Sequence, residues 1–207
     1  MPEKLKLAEM LCARFSHDII GPVGALSNGA EFLREELGAK QSMAAELIES
    51  SSKEAVARVQ FYRQAYGYSP GGGNASLTEM KDLSAKYLAG GKIKLVWDDK
   101  YTDSSNIAVT HAQKKLAMNL LIIAAASLIR GGTVAFEITS GEIKITATGT
   151  KAALPEGFKT CLGGKLSAEQ LDARMVQCYY TSQLAAESGA RIEIAESDEK
   201  VVLAFSL

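Results

Sequence analysis

Apolar positions in the first third of the chain recur with a helical period. From about Leu5 to Leu37, at about 100° per residue, Leu11, Phe15, Ile19, Pro22, Leu26, Leu33 and Leu37 share one stripe. Met10, Ala13, His17, Gly21, Gly24 and Asn28 share the opposite face. Pro22 inside this helix removes one hydrogen bond and is expected to kink it, with Gly21 easing the bend. A second helix is predicted from about Gln41 to Tyr66, with Ala44, Leu47, Ile48, Ser51, Ala55, Val59 and Tyr62 as its stripe. Gly38 fits the stop between them. So short a connection makes the two helices an antiparallel hairpin. One hairpin cannot cover both stripes, whereas two copies close a four-helix bundle, so the pattern predicts a homodimer.

The periodicity then breaks. Gly67-Tyr68-Ser69-Pro70-Gly71-Gly72-Gly73-Asn74 is a linker signal, and the expected division is a hairpin over 1–67, a linker over 68–75 and a second domain over 76–207. In that second domain Leu77 to Ala89 reads as a helix, with Ser76 and Glu79 placed as in a capping box. Lys92 to Trp97 alternates as a strand, and Thr110 to Arg130 is a long apolar helix ending at Gly131-Gly132. Thr133 to Thr139 and Glu142 to Thr148 flank Ser140-Gly141 as a hairpin. Leu166 or Ser167 to Ser188 reads as a helix, and Ala190 to Ala195 with Lys200 to Leu207 as a closing strand pair. The sum is an α+β chain: a helical hairpin followed by a two-layer α/β sandwich.

Charge and composition narrow the function. The 207 residues carry 23 Lys and Arg against 24 Asp and Glu. This balance argues against nucleic-acid or anionic-membrane binding. The longest apolar run, Leu116 to Ile129, is interrupted by Asn119 and Ser127 and is too short to span a bilayer. No secretory pattern opens the chain, so a cytoplasmic protein is expected. Cys12, Cys161 and Cys178 are too scattered for a metal motif and read as free, buried or half-buried thiols. His111 reads as a cap-region residue, Trp97 as core, and Asp98-Asp99 with Asp103 as a solvated loop.

The chemistry concentrates at His17-Asp18-Ile19-Ile20-Gly21-Pro22. An imidazole held on the polar face of a helix, with an acid beside it, suggests a phosphorylatable histidine. His17-Asp18-x-x-x-Pro22 resembles the phosphoacceptor box of histidine kinases, and the later order of elements resembles their ATPase (Bergerat) domain. The stretch Leu11-Cys12-Ala13-Arg14-Phe15-Ser16-His17-Asp18, with Pro22-Val23-Gly24-Ala25 and Asn28-Gly29, is closer to the ChpT-type histidine phosphotransferases of bacterial phosphorelays. The resemblance implies His17 as phosphoacceptor and Asp18 as the group that orients or activates its imidazole. It also implies response-regulator receiver domains as partners, both the receiver of a hybrid histidine kinase and downstream regulators. Their own Asp, Lys and Mg²⁺ would supply the remaining charges. Gly21 and Gly24, one and two turns past His17, leave room for a receiver's loops, and Arg14, Asn28 and Arg34 are candidate contacts at the edge.

The resemblance to the ATPase domain fails at three nucleotide features. Where a kinase has Asn-Leu-Leu-x-Asn-Ala, this chain has Asn119-Leu120-Leu121-Ile122-Ile123-Ala124. Ile123 stands at the Mg²⁺-binding Asn and offers no oxygen to a hard cation. Where a kinase has Asp-x-Gly-x-Gly to read adenine, the chain has Ala147-Thr148-Gly149-Thr150-Lys151, with Ala147 for the Asp and Lys151 for the second Gly. The last glycine-rich box falls at Asp172-Ala173-Arg174-Met175-Val176, which has no glycine to bring backbone close to phosphate. The expectation is therefore a phosphotransferase with no intrinsic cofactor, its Mg²⁺ belonging to the receiver. The alternatives are an atypical ATP-dependent histidine kinase and a non-catalytic receiver-binding scaffold.

Overall fold

The computed structural model describes residues 3–35, 39–67, 76–103, 107–166 and 170–206. The linker signal over 68–75 and the stop at Gly38 lie outside the described residues, as does the side chain of Arg34. Helix α1 (Glu3–Glu35) runs unbroken through Pro22. It packs antiparallel on α2 (Ala39–Tyr66). At Gly29 the helices come close enough that an added Cβ would stand 2.7 Å from Ile48 Cγ1.

Among the described residues, helices α3 (Leu77–Leu88), α4 (His111–Ala126), α5 (Phe158–Leu162) and α6 (Val176–Ser188) accompany five strands. These are β1 (Ile93–Trp97), β2 (Gly132–Ile138), β3 (Glu142–Thr148), β4 (Ile192–Ser197) and β5 (Lys200–Ser206). The sheet order is β1-β2-β3-β5-β4. Only β1 and β2 pair in parallel, and the other neighbours are antiparallel. Strand alternation sets one sheet face against the helices. Phe136, Ile145, Leu203 and Ile194 stand in register across that face, and the first three are buried. Helix α4 is apolar on nearly every side from Leu116 to Ala124, and it is buried accordingly. Among the described residues no helix is long and apolar enough to cross a membrane.

Several boundaries differ from the periodicity. Helix α4 stops at Ala126 rather than Arg130, because the Ser127 hydroxyl caps back onto the Ala124 carbonyl at 2.7 Å and Gly131 turns the chain at φ +87°. The long helix expected from residue 166 is only α6, which starts at Val176, and the five-residue α5 precedes it. The Asp172 carboxylate accepts from the Arg174 and Met175 amides at 2.8 and 2.9 Å, holding a turn where the pattern suggested helix. Ser76 accepts from the Glu79 amide at 3.0 Å as its spacing implies. The Glu79 carboxylate, however, turns away to the buried Lys114 ammonium and to Gln64, so the box is half formed. Trp97 is half-buried, tilted against Phe136, and Cys12 is exposed while Cys161 and Cys178 are buried.

The hairpin and the sandwich share one core. The last turns of α2 bury Phe61, Tyr62 and Ala65, and Val59, placed in the apolar stripe by period, is exposed. This end of α2 lies against α1 on one side and α3 and α4 on the other, so more of its circumference is covered. Met10, which the period placed with His17, likewise packs on the core.

Candidate functional site

His17 sits in mid-helix with its side chain 87% exposed, while the adjoining Asp18 side chain is 20% exposed. A helix turns about 100° per residue, which is why neighbours in sequence can face solvent and the bundle respectively. Asp18 Oδ1 lies 3.4 Å from His17 Nδ1, at the long end of the hydrogen-bond range. On its other oxygen, Oδ2, Asp18 accepts a 2.6 Å hydrogen bond from the Tyr62 hydroxyl on α2. The Arg14 Nε atom stands 3.9 Å from the same oxygen. Pro22 is buried and has no amide hydrogen, so it cannot donate to the Asp18 carbonyl one turn back.

Around the Tyr62 ring lies an aromatic cluster. Phe15 and Tyr87 meet it edge-on, each at 5.7 Å, and Tyr66 stacks on it at 5.2 Å. Tyr87 comes from α3, and its hydroxyl lies 3.5 Å from that of Tyr62. Burial pushes the Tyr62, Tyr66 and Tyr87 phenols well above the usual tyrosine range, so each keeps its proton. Tyr66 donates through its hydroxyl to Gln177 Oε1 on α6. Gln177 in turn donates to Asn119 Oδ1 at 2.8 Å, and Asn119 Nδ2 donates to the carbonyls of Ala65 at 2.7 Å and Lys115 at 2.8 Å. A buried polar chain therefore ties the end of α2 to α4 and α6.

The residues singled out from sequence divide into two groups. His17, Gly21, Gly24 and Asn28 share an exposed face of α1, and an added Cβ at Gly21 or Gly24 meets nothing within 4 Å. Arg14 turns inward instead, toward Asp18 and the Tyr66 hydroxyl, because an i,i+4 spacing sets it over Asp18. Ile123 and Ala147 are fully buried; Ala147 stands between Val134 and Val201 in a core-facing row of the sheet. Lys151 is exposed in the turn after β3 with φ +59°. It borders an open depression of 420 Å³ whose other rim carries Glu196, Asp198 and Glu199, the wrong sign for a triphosphate. Just before α6 the Arg174 and Met175 amides donate to the Asp172 carboxylate. Neither Ile123 nor Ala147 offers a side-chain oxygen to a nucleotide or its Mg²⁺.

Tyr62, Tyr66 and Tyr87 were not legible as site residues. Tyr62 reads as one more member of an apolar stripe. The signal that could have found it is the hairpin itself, since an antiparallel pair joined by a short loop puts residue 18 opposite the stretch near residue 60. Asn119 was legible only as the first Asn of a kinase motif, and its present partners are structural.

Residues 77–200 match the family model of the histidine phosphotransferase C-terminal domain. An alignment of 203 residues, covering 96% of this chain and 94% of the relative, is 34% identical to protein phosphotransferase ChpT of Brucella abortus (strain 2308). The solved structure of a bacterial phosphotransferase superposes with a TM-score of 0.80 at 32% identity, covering 97% of this chain and 96% of its own. With the hairpin, the sandwich and both alignments in accord over nearly the whole length, the chain belongs to the histidine phosphotransferase family.

Proposed function

We propose that this protein relays phosphoryl groups between the aspartates of response-regulator receiver domains through His17. The observation that carries the reading is the side chain of His17, 87% exposed on a helix face that Gly21 and Gly24 leave bare, with the Asp18 carboxylate on its Nδ1 side. With a proton on Nδ1, the Nε2 lone pair attacks the phosphorus of a receiver's aspartyl phosphate. The N–P bond forms, the P–O bond to the acyl oxygen breaks, and the receiver carboxylate leaves with the bonding pair. The ring gains positive charge, which Asp18 opposes across the Nδ1 proton. The same steps in reverse load a second receiver. In-line transfer between partners needs positioning and charge neutralisation more than covalent chemistry. The receiver brings the Mg²⁺, and Asn28 lies on the same open face as an edge contact.

ATP is not the donor in this reading. Its support is the chemistry of Ile123 and Ala147, both sealed in the core, and the stretch Asp172 to Val176, which has no glycine and whose Arg174 and Met175 amides donate to Asp172. The test gives purified protein either labelled Mg-ATP alone or Mg²⁺ with a labelled phosphoreceiver. Label is expected on His17 in the second sample only. Label from ATP alone would make the protein a kinase; no label from a receiver that binds would make it a scaffold.

The hairpin also supports a homodimer. Leu5, Ile20, Val23 and Phe32 on α1 and Met43, Val56 and Val59 on α2 are exposed large apolar side chains, more than a surface of scattered single residues explains. A second hairpin would cover them. Light scattering should give twice the 22.1 kDa chain mass, and V56K with V59K should return the monomer. A wild-type mass of one chain at micromolar concentration would rule the bundle out.

A further inference from the structure

We infer that Tyr62 is a positioning residue for phosphotransfer: its hydroxyl fixes which oxygen of Asp18 faces His17, and so sets the imidazole tautomer. The inference rests on the relay reading above and adds a residue on the neighbouring helix. Asp18 stands between two groups. Tyr62 donates to Oδ2 at 2.6 Å, while Oδ1 lies 3.4 Å from His17 Nδ1. A carboxylate held at one oxygen cannot rotate freely. The free oxygen then favours the Nδ1–H tautomer and leaves the Nε2 lone pair for phosphorus.

Tyr62 can do this because it is itself immobile. The residue is 2% exposed, and its ring is held by Phe15, Tyr66 and Tyr87. Two of those holders answer to the sandwich rather than the hairpin. Tyr87 belongs to α3, and Tyr66 is bonded to Gln177 of α6. The sandwich thus acts on the histidine through a chain of packed and hydrogen-bonded side chains, Gln177 to Tyr66 to Tyr62 to Asp18. The balance of the reaction is unchanged: no proton leaves Nδ1, and Tyr62 donates the same hydrogen throughout.

The decisive variant is Tyr62→Phe in the full chain, which removes one oxygen and keeps the ring. Nitrogen-15 NMR of the His17 ring, at an alkaline pH where an ordinary imidazole is neutral, reads the tautomer without any partner. The Nδ1–H fraction should fall in the variant. Single-turnover transfer from a phosphoreceiver should slow roughly three- to tenfold, the scale of one lost hydrogen bond, with receiver affinity unchanged. Tyr87→Phe, which removes a hydroxyl that does not touch Asp18, should leave the tautomer as it is.

Should Tyr62→Phe not fold, Asp18→Asn reads the same link from the other end. With the amide oxygen held by Tyr62, the NH₂ faces His17 and the Nε2–H form should take over. An unchanged tautomer in either variant overturns the positioning role. If wild-type protein takes no label from receivers, the relay reading fails, and the tautomer measurement still decides whether Tyr62 controls the ring.

Discussion

An H17A variant should accept no phosphoryl group from any receiver, a loss limited only by the detection of label. Its fold should survive, because the His17 side chain is almost fully in solvent and, among the described residues, its hydrogen-bond partner is Asp18 at 3.4 Å. Surface substitutions of that kind usually shift stability by no more than about 0.5 kcal/mol. Receiver binding should also persist, since Gly21, Gly24 and Asn28 are untouched. Asp18 cannot substitute as acceptor: it is mostly covered, and one of its oxygens is bonded to Tyr62. The measurement is transfer of label from a phosphoreceiver, with receiver affinity and thermal unfolding alongside. Label that remains on the H17A chain would move the site elsewhere, His111 being the other histidine.

The second large effect is on stability. Asn119 is fully buried and makes three hydrogen bonds, to the Ala65 and Lys115 carbonyls and from Gln177. Asn119→Leu fills a similar volume but leaves the Ala65 carbonyl without its side-chain donor. Gln177 Nε2 then keeps only the 3.3 Å bond to the Thr181 hydroxyl. Leaving buried polar groups unpaired costs about 1–3 kcal/mol each, and members of one network are lost together. A total of about 2–4 kcal/mol should lower Tm by roughly 4–16 °C for a chain of this size. Calorimetry of the variant checks this, and a Tm within about 2 °C of wild type would show that the network does not hold the two halves together. The carboxamide of Asn119 is thereby assigned to fastening α4 and α6 to the end of α2, where the kinase motif it resembles serves a nucleotide.

Much of the fold was legible because local rules and tertiary packing agree. Ser76 and Thr110 begin α3 and α4 as their side chains can cap those helices. The alternation through Thr133–Thr148 paired as a hairpin because the buried face recurs every second residue. Agreement ended where a side chain far from the pattern intervened. Asp172 ended the expected helix before Val176, and contact with α3 and α4 buried Phe61 and Ala65 beyond the amphipathic stripe of α2. The alternation of β2 and β3 also hides a close approach. An added Cβ on Gly149 would meet the Gly131 carbonyl at 2.4 Å, so that glycine of the old adenine motif is now required by packing.

By itself the sequence determined which side chain is the proposed phosphoacceptor and which residues stand at the nucleotide positions of the ATPase domain it resembles. His17 with Asp18 and Pro22 is local, one turn of one helix, and the oxygens missing at Ile123 and Ala147 are a matter of residue identity that no packing can restore. Tertiary structure alone decided what surrounds that group. Tyr62 lies forty-four positions from Asp18, Tyr87 lies on another helix, and Gln177 is farther along still. A hydrogen bond depends on positions within about 3 Å, and residues so distant in sequence reach that range only when the hairpin closes and docks on the sandwich.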